Sequence, residues 1–345
     1  NVGLSCLCDL DYSGTSCNSA CSTLSLPPAL ENAVRLVVGK PTGTLVPADV
    51  ALVDRLDARN LGLDSLDGLE CWQNLKTVVL SGNELEADDL DVLAQLGRLE
   101  SLTLDCNPVG NLSAIAHHPR LKSLSLAQIG EGCDDAIASL TALGTLFELE
   151  SLDLSGHGLA ALAALAPLRK LRSLALASND LTTLGFVENF PLLERLYVAD
   201  NLITDLAPLE DLESLRFLDV SMNPLENPVD FAAFTHLELL TAQDSGLTSL
   251  ASLNGALFLR ELRVAHNDID DLAPVSELSR LHWLDVWDNA IDDLSPWLES
   301  ETRRGTLMLG DNPVVCDDGI AATSEADVQL LERRGVQLFV GCSSD

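Results

Sequence analysis

Aromatic side chains are scarce in this chain, with four Trp, two Tyr and eight Phe among 345 residues. An ordinary mixed core leans on such residues, so a chain that is 47% hydrophobic and rich in Leu must build its interior another way. Basic residues are also few: 20 Lys and Arg stand against 53 Asp and Glu, a formal charge of −33. The resulting negative potential repels phosphate backbones and anionic lipid headgroups, which argues against nucleic acid as a partner. Its plainest consequence is a solvated, soluble surface. Long apolar runs are missing too. The longest, LAALAALAPL at 159–168, falls short of the roughly 20 residues of a membrane helix, so no membrane insertion is expected. No charged start followed by an apolar stretch opens the chain; either a leader is already removed or the chain begins within a longer protein, and its cysteines favour the second. GxSxG, HExxH, the phosphate loop and GxGxxG are all absent, and the six His are scattered, so neither enzyme activity nor a cofactor is expected.

What is present is a repeat. LKTVVLSGN at 75, LERLYVADN at 193, LRFLDVSMN at 215 and LHWLDVWDN at 281 all read LxxLxLxxN, with Val replacing some Leu. The Asn recurs at 83, 107, 179, 201, 223, 267, 289 and 312; Leu61, Ile129, His157 and Ser245 fill the position in four further copies, making 12. Most intervals are 22 residues. Each copy predicts a short strand with two inner apolar side chains, then an Asn whose amide satisfies buried backbone groups at the turn. A single copy cannot bury its apolar face, so the copies must stack. The expected fold is α/β: a right-handed, curved solenoid with a parallel sheet on its concave face. The longer copy containing DDAIASLTALGTL (134–146) is expected to hold one real helix.

Open ends need caps. The pattern PxLExAVRxxxGKPTGxLxxADV from Pro28, continuing into LDARNLGLDSLDGL, resembles the helical cap and first repeat of bacterial internalin-like leucine-rich repeat proteins. The resemblance covers about residues 27–312 and implies a secreted or surface-attached binding module without naming a ligand. The 22-residue copy is also similar to that of intracellular leucine-rich repeat subunits that regulate protein phosphatases, which implies a scaffold; a purely structural cell-envelope module is a third reading. At the other end, DNPVVCDDGIAATSEADVQLLERRGVQLFVGC reads as a cap with a helix near 324–334, a last strand and a Cys316–Cys342 disulfide. The divisions expected are 1–22, a helical cap at 23–52, repeats at 53–312 and the C-terminal cap at 313–345.

Nine cysteines is an odd count. CLCDLDYSGTSC resembles the last half of an EGF-like module, with Asp11 departing from the usual residue. That resemblance implies a Cys8–Cys17 disulfide and a partner for Cys6 upstream of residue 1. Cys106 and Cys133 fall on one edge of consecutive coils and are expected to pair; Cys21 with Cys71 is a weaker pairing that would tie cap to first repeat. Such usage points to an oxidising compartment, hence an extracellular or cell-surface protein. Zinc is disfavoured, because no second CxxC or His pair follows Cys6 and Cys8 at ligand spacing. The sequon Asn111-Leu112-Ser113 carries little weight.

If the second and third apolar residues of the motif point inward, the outward positions lie six, four and two before the Asn. Middle copies place bland residues there, such as Ser123, Ser125 and Ala127. Later copies place Arg195 and Tyr197, Phe217 and Asp219, Leu239, Glu261 and Arg263, then Trp283, Asp285 and Trp287. Exposed aromatics with Arg are the composition of binding hot spots, so these ten residues are the candidate site for a protein or glycan ligand on a monomeric chain. The competing reading is structural: Arg263 pairs with Asp219 or Asp285, and the aromatics pack on one another or under the C-terminal cap. Acidic pairs such as Asp270–Asp271 and Asp292–Asp293 read as solvated turns in preference to a weak calcium shelf.

Overall fold

A computed structural model describes residues 24–130, 132–133, 136–226, 231, 234–298, 304–316 and 325–342, except the side chains of 117, 254, 316 and 325–328. The chain divides into two compact units, residues 1–157 with 164–168 and residues 158–163 with 169–345.

The first unit opens with helix α1 (Pro28–Val38) and the short α2 (Pro47–Val50). Pro28 suits the first helical turn, where its missing N–H is not needed. Gly39, at φ 66°, closes α1 by donating its N–H to the Arg35 carbonyl. The GKPTG pattern is a set of tethers. Arg35 pairs with Glu31 at 2.5 Å and donates to the Lys40 and Gly43 carbonyls, while Lys40 reaches Asp49 at 2.7 Å. Leu30 and Val34 are fully buried on the inner face of α1. Strands β1 (Arg55–Asp57), β2 (Thr77–Val79), β3 (Ser101–Thr103), β4 (Ser123–Ser125) and β5 (Ser151–Asp153) follow, each paired in parallel with the next.

The second unit carries β6 (Ser173–Ala175), β7 (Arg195–Tyr197), β8 (Phe217–Asp219), β9 (Leu239–Thr241), β10 (Glu261–Arg263), β11 (Trp283–Asp285), β12 (Gly305–Met308) and β13 (Val336–Phe339), again parallel and in chain order. Helices α3 (Ser295–Leu298), α4 (Pro313–Cys316) and α5 (Glu325–Arg333) flank its last strands. The cap helix and final strand therefore fall where the sequence predicts them.

In both units the period of two along each strand makes one side chain the core. Leu56, Val78, Leu102, Leu124 and Leu152 form that column in the first unit; Leu174, Leu196, Leu218, Leu240, Leu262, Leu284 and Leu307 form it in the second, all 0–1% exposed. Burying each Leu stabilises the stack by about 1.5–3 kcal/mol. Return segments are mostly 3₁₀ turns, such as Gly185–Asn189 and Ala207–Leu209, because a 22-residue coil leaves no length for more.

The Asn position forms a hydrogen-bonded ladder. Asn201 is 5% exposed; its amide donates to the carbonyls of Leu176 at 2.9 Å, Val198 at 3.1 Å and Ala199 at 3.1 Å, and its Oδ1 accepts the Leu181 N–H at 3.0 Å. Asn179, Asn223, Asn267 and Asn289 make the same kinds of bond. Substitutes improvise: His157 Nε2 lies 2.7 Å from the Leu126 carbonyl, and Ser245 Oγ donates to those of Val220 and Gln243. Burial pushes the His157 pKa down, against a weaker pull upward from its backbone partner. At Ile129, which is 53% exposed, the buried neighbour Gln128 takes over and donates to the Asn107 carbonyl at 2.7 Å. The residue just before most ladder positions lies in the left-handed region, including Cys106, Ser178, Asp200, His266, Asp288 and Asp311 at φ 51–57°.

A second periodic row sits seven positions before the ladder. It reads Lys76, Glu100, Lys122 and Glu150 in the first unit, then Arg172, Glu194, Arg216, Glu238 and Arg260 in the second. In the second unit neighbours in the row pair: Arg172 meets Glu194 at 2.5 Å, and Glu238 takes Arg216 at 2.7 Å and Arg260 at 3.7 Å.

One element is corrected. The helix expected over 134–146 is absent among the described residues of that span, where a 3₁₀ turn at Leu143–Thr145 is the only helical element. The reason is competition for donors: Ile137 N–H goes to His157 Nδ1, Ala138 N–H to the Gly110 carbonyl and Thr141 N–H to Ser139 Oγ, so these N–H groups are taken from any helix in the first half of the span. Cys106 and Cys133 are joined, with Cα atoms 4.8 Å apart, as their edge positions predict. Cys71 and Cys342 are also disulfide-bonded, to sulfurs outside the described set. The EGF-like segment with Cys6, Cys8 and Cys17, Cys21, and the Cys316 side chain lie outside the described residues.

Candidate binding face

All ten candidate residues lie in the second unit, on β7 to β11 or just beyond β11. Strand register aligns Arg195, Phe217, Leu239, Glu261 and Trp283 in one column, and Tyr197, Asp219, Thr241, Arg263 and Asp285 in the next. Leu196, Leu218, Leu240, Leu262 and Leu284 between them are fully buried, so both columns face away from the core. The other two tryptophans, Trp72 and Trp297, are each 1% exposed and belong to the core. Trp283 and Trp287 are half-buried.

Two groups of contacts organise the face. Arg195 places its guanidinium 5.1 Å from the Phe217 ring centre. Arg263 stacks 5.5 Å from Trp283 and donates from Nη2 to Glu261 at 2.8 Å. Arg263 thus pairs along its own strand, not with Asp219 or Asp285 across it. Arg263 Nε and Trp283 Nε1 are buried donors with no hydrogen-bond partner among the described residues. Asp219 accepts from Ser221 N–H and Oγ, and the 8%-exposed Asp285 accepts the Trp287 N–H at 3.2 Å. Tyr197 and Leu239 are half-buried and complete the columns.

Trp287 stands apart from the other nine. Its Nε1 donates to Asp311 at 2.8 Å, and its six-membered ring lies over Gly310, where a Cβ would come within 2.2 Å of it, and beside Gly341. Glycine at 310 leaves the room the indole occupies. The cap-packing reading therefore fits Trp287, while Trp283 stays on the open columns.

His266 was not singled out by sequence reasoning, although it occupies the left-handed corner that recurs one residue before most ladder positions. Its row carries Asp200, Met222, Asp244, His266, Asp288 and Asp311. His266 Nδ1 lies 2.9 Å from Asp288, and that hydrogen bond, with the charges of Asp244, Asp288 and Asp285, raises its pKa above 6.5 despite some desolvation. A histidine with a raised folded pKa contributes stability that is complete below about 6.5 and lost as pH rises through the folded value. We predict that a proton NMR titration finds the His266 midpoint above that of a free histidine, and that Asp288→Asn lowers it; an unmoved midpoint would show the pair is not formed.

Among the described residues no cluster of His, Cys, Asp and Glu is arranged to hold a metal ion. The second acid of each pair instead opens a turn: Asp271 accepts the Ala273 N–H and Asp293 the Ser295 N–H. The latter bonds, with the Ser295 hydroxyl first, hold the Asp293 pKa below its ordinary value. No described helix is long and apolar enough to cross a membrane.

The coils, Asn ladder and parallel register define a leucine-rich repeat solenoid. A family described as Leucine Rich repeat matches residues 256–272. No curated protein matches the chain at a significant level. Among solved structures, an internalin, InlF from Listeria monocytogenes, aligns with TM-score 0.73 and 22% identity over 91% of this chain and 90% of its own. InlJ of Listeria monocytogenes, whose functional domain includes a cysteine ladder, aligns with TM-score 0.59 and 20% identity over 83% of this chain and 65% of its own. The ectodomain of the Arabidopsis thaliana membrane receptor kinase GASSHO1/SCHENGEN3, in complex with CASPARIAN STRIP INTEGRITY FACTOR 2, aligns with TM-score 0.55 and 19% identity over 77% of this chain and 40% of its own. At these identities the likeness is one of fold.

Proposed function

We propose that this chain is a secreted or surface-displayed binding module that recognises a protein partner through the outward columns of β7 to β11. The observation that carries this reading is the Glu261–Arg263–Trp283 cluster, in which a guanidinium held by Glu261 stacks on the half-buried Trp283 ring on the outward face of the sheet. An aromatic with an adjacent Arg on an outward face is the composition of a binding hot spot, and a preorganised sheet loses little entropy on binding. A sugar stacking on Trp283 competes with the Arg263 guanidinium for the ring, which favours a protein over a glycan. The Cys106–Cys133 bond and the half-cystines Cys71 and Cys342 support an oxidising compartment, against the intracellular scaffold. The fold's likeness to internalins and to a receptor ectodomain is consistent with such a role.

The test is selection of displayed peptides on the immobilised chain, beside a glycan array. Trp283→Ala with Arg263→Ala is expected to weaken the selected peptides at least about thirtyfold, as for a hot spot of about 2 kcal/mol or more. Ser123→Ala with Ser125→Ala, on the bland face of the first unit, is expected to change nothing. Trp287 is left in place because its loss would disturb Gly310 and Asp311. Peptides that bind the double variant as well as the parent would reject this face, and hits confined to the glycan array would reassign it to sugars.

A further inference from the structure

A chain with 53 acids and 20 bases has few cations to gather in one place. The first unit gathers three of them. A groove of about 610 Å³ at the edge where β2 and β3 begin is lined by Asn74, Lys76, Gly97, Arg98, Glu100 and Arg120, with Gln73 beside them. Three cations face one carboxylate there. Among the described residues Lys76, Arg98 and Arg120 form no ion pair, and of the three only Lys76 belongs to the row that Arg172–Glu194 and Arg216–Glu238 close in the second unit.

The groove is also held in shape. Arg98 Nη1 donates to Asn74 Oδ1 at 2.7 Å, and Asn74 Nδ2 donates to the Ala51 carbonyl at 2.6 Å, so one guanidinium is fixed while its remaining N–H groups stay available. Gly97 forms part of the lining with nothing within 4 Å of where a Cβ would stand. Position 97 therefore adds no side chain to the groove.

We propose that this groove binds a compact oxyanion, a carboxylate, sulfate or phosphate carried by a small ligand or a single sugar. Arg98 and Arg120 supply guanidinium N–H donors suited to two oxygens, Lys76 adds a point charge, and Asn74 orients Arg98. A polyanion is the wrong occupant, because charges beyond the groove repel each further anionic group. At physiological ionic strength that repulsion is screened over about 8 Å, so a ligand confined to the groove meets mainly the three cations.

The experiment titrates the intact protein with phosphate, glucuronate or glucose at constant ionic strength, following the arginine Nε–H resonances by NMR. Saturable shifts at Arg98 and Arg120 with phosphate or glucuronate, and none with glucose, are expected; whichever anion binds tighter identifies the carrier as phosphorylated or as a sugar acid. Arg98→Gln with Arg120→Gln is expected to weaken binding at least about tenfold, the loss of one charge-assisted bond or more. Gly97→Phe, which enters open space, is expected to block binding with the thermal midpoint unchanged. Non-saturating shifts, equal response to glucose, or unaltered binding by both variants would overturn the site.

Discussion

Gly305→Ala is expected to destabilise the second unit by about 2–6 kcal/mol, the sum of forcing a side chain into a glycine-only backbone region and of overpacking against fixed atoms. Gly305 has φ 125°, and an added Cβ would fall 1.8 Å from the His282 carbonyl oxygen. That oxygen is a backbone atom of the preceding coil and already accepts the Thr306 N–H at 2.8 Å. It cannot rotate aside as a side chain would, so β12 must move off β11, and β13 is paired to β12. Gly97→Ala is the matched control: open space and an ordinary backbone predict a change within about 0.5 kcal/mol. Urea denaturation of both variants measures the contrast, and a Gly305→Ala midpoint equal to that of Gly97→Ala would show that the last strands are not held as described.

Asn201→Ala is expected to cost about 3–5 kcal/mol, because it leaves buried carbonyls of Leu176, Val198 and Ala199 and the N–H of Leu181 short of partners at once. Asn201→Ser should cost less, about 1–2 kcal/mol. Ser245 shows why: its hydroxyl still reaches two carbonyls, and the N–H that an Asn Oδ1 would have taken, that of Leu225, turns to the Asn223 carbonyl at 2.8 Å instead. The order Ala worse than Ser, read from denaturation midpoints, checks the hydrogen-bond account; equal losses would point to packing alone.

These expectations rest on features that differ in how openly the residues display them. Strand positions follow from sequence almost to the residue, since LxxLxLxxN turns its second apolar residue inward in every coil, and in the second unit each of these, from Leu174 to Leu307, is buried. The outward columns follow by the same alternation. What alternation cannot convey is where a side chain goes once it leaves the core. Trp283 and Trp287 share one motif, yet the first stacks with Arg263 and the second turns to Asp311 over Gly310, because the next coils carry glycine there. The missing helix near 137 has a similar origin. Its amphipathic spacing is genuine, but its N–H groups meet acceptors from other coils first. His266 and the charged row were legible at the 22-residue period, one and seven places before the ladder, and are visible once those columns are read as carefully as the leucines.

The charged row also bears on how the chain counts. Leucine coils are nearly interchangeable, and nothing in a Leu-on-Leu interface distinguishes the adjacent copy from the one after it. Alternation from Arg172 through Glu194, Arg216 and Glu238 to Arg260 supplies a parity rule. A chain that loops out one coil while collapsing sets Glu on Glu or Arg on Arg, and only the loss of two coils restores opposite signs. Each exposed pair is worth little by itself, but over five coils the row penalises the single-step misalignment that a repetitive interior would otherwise tolerate.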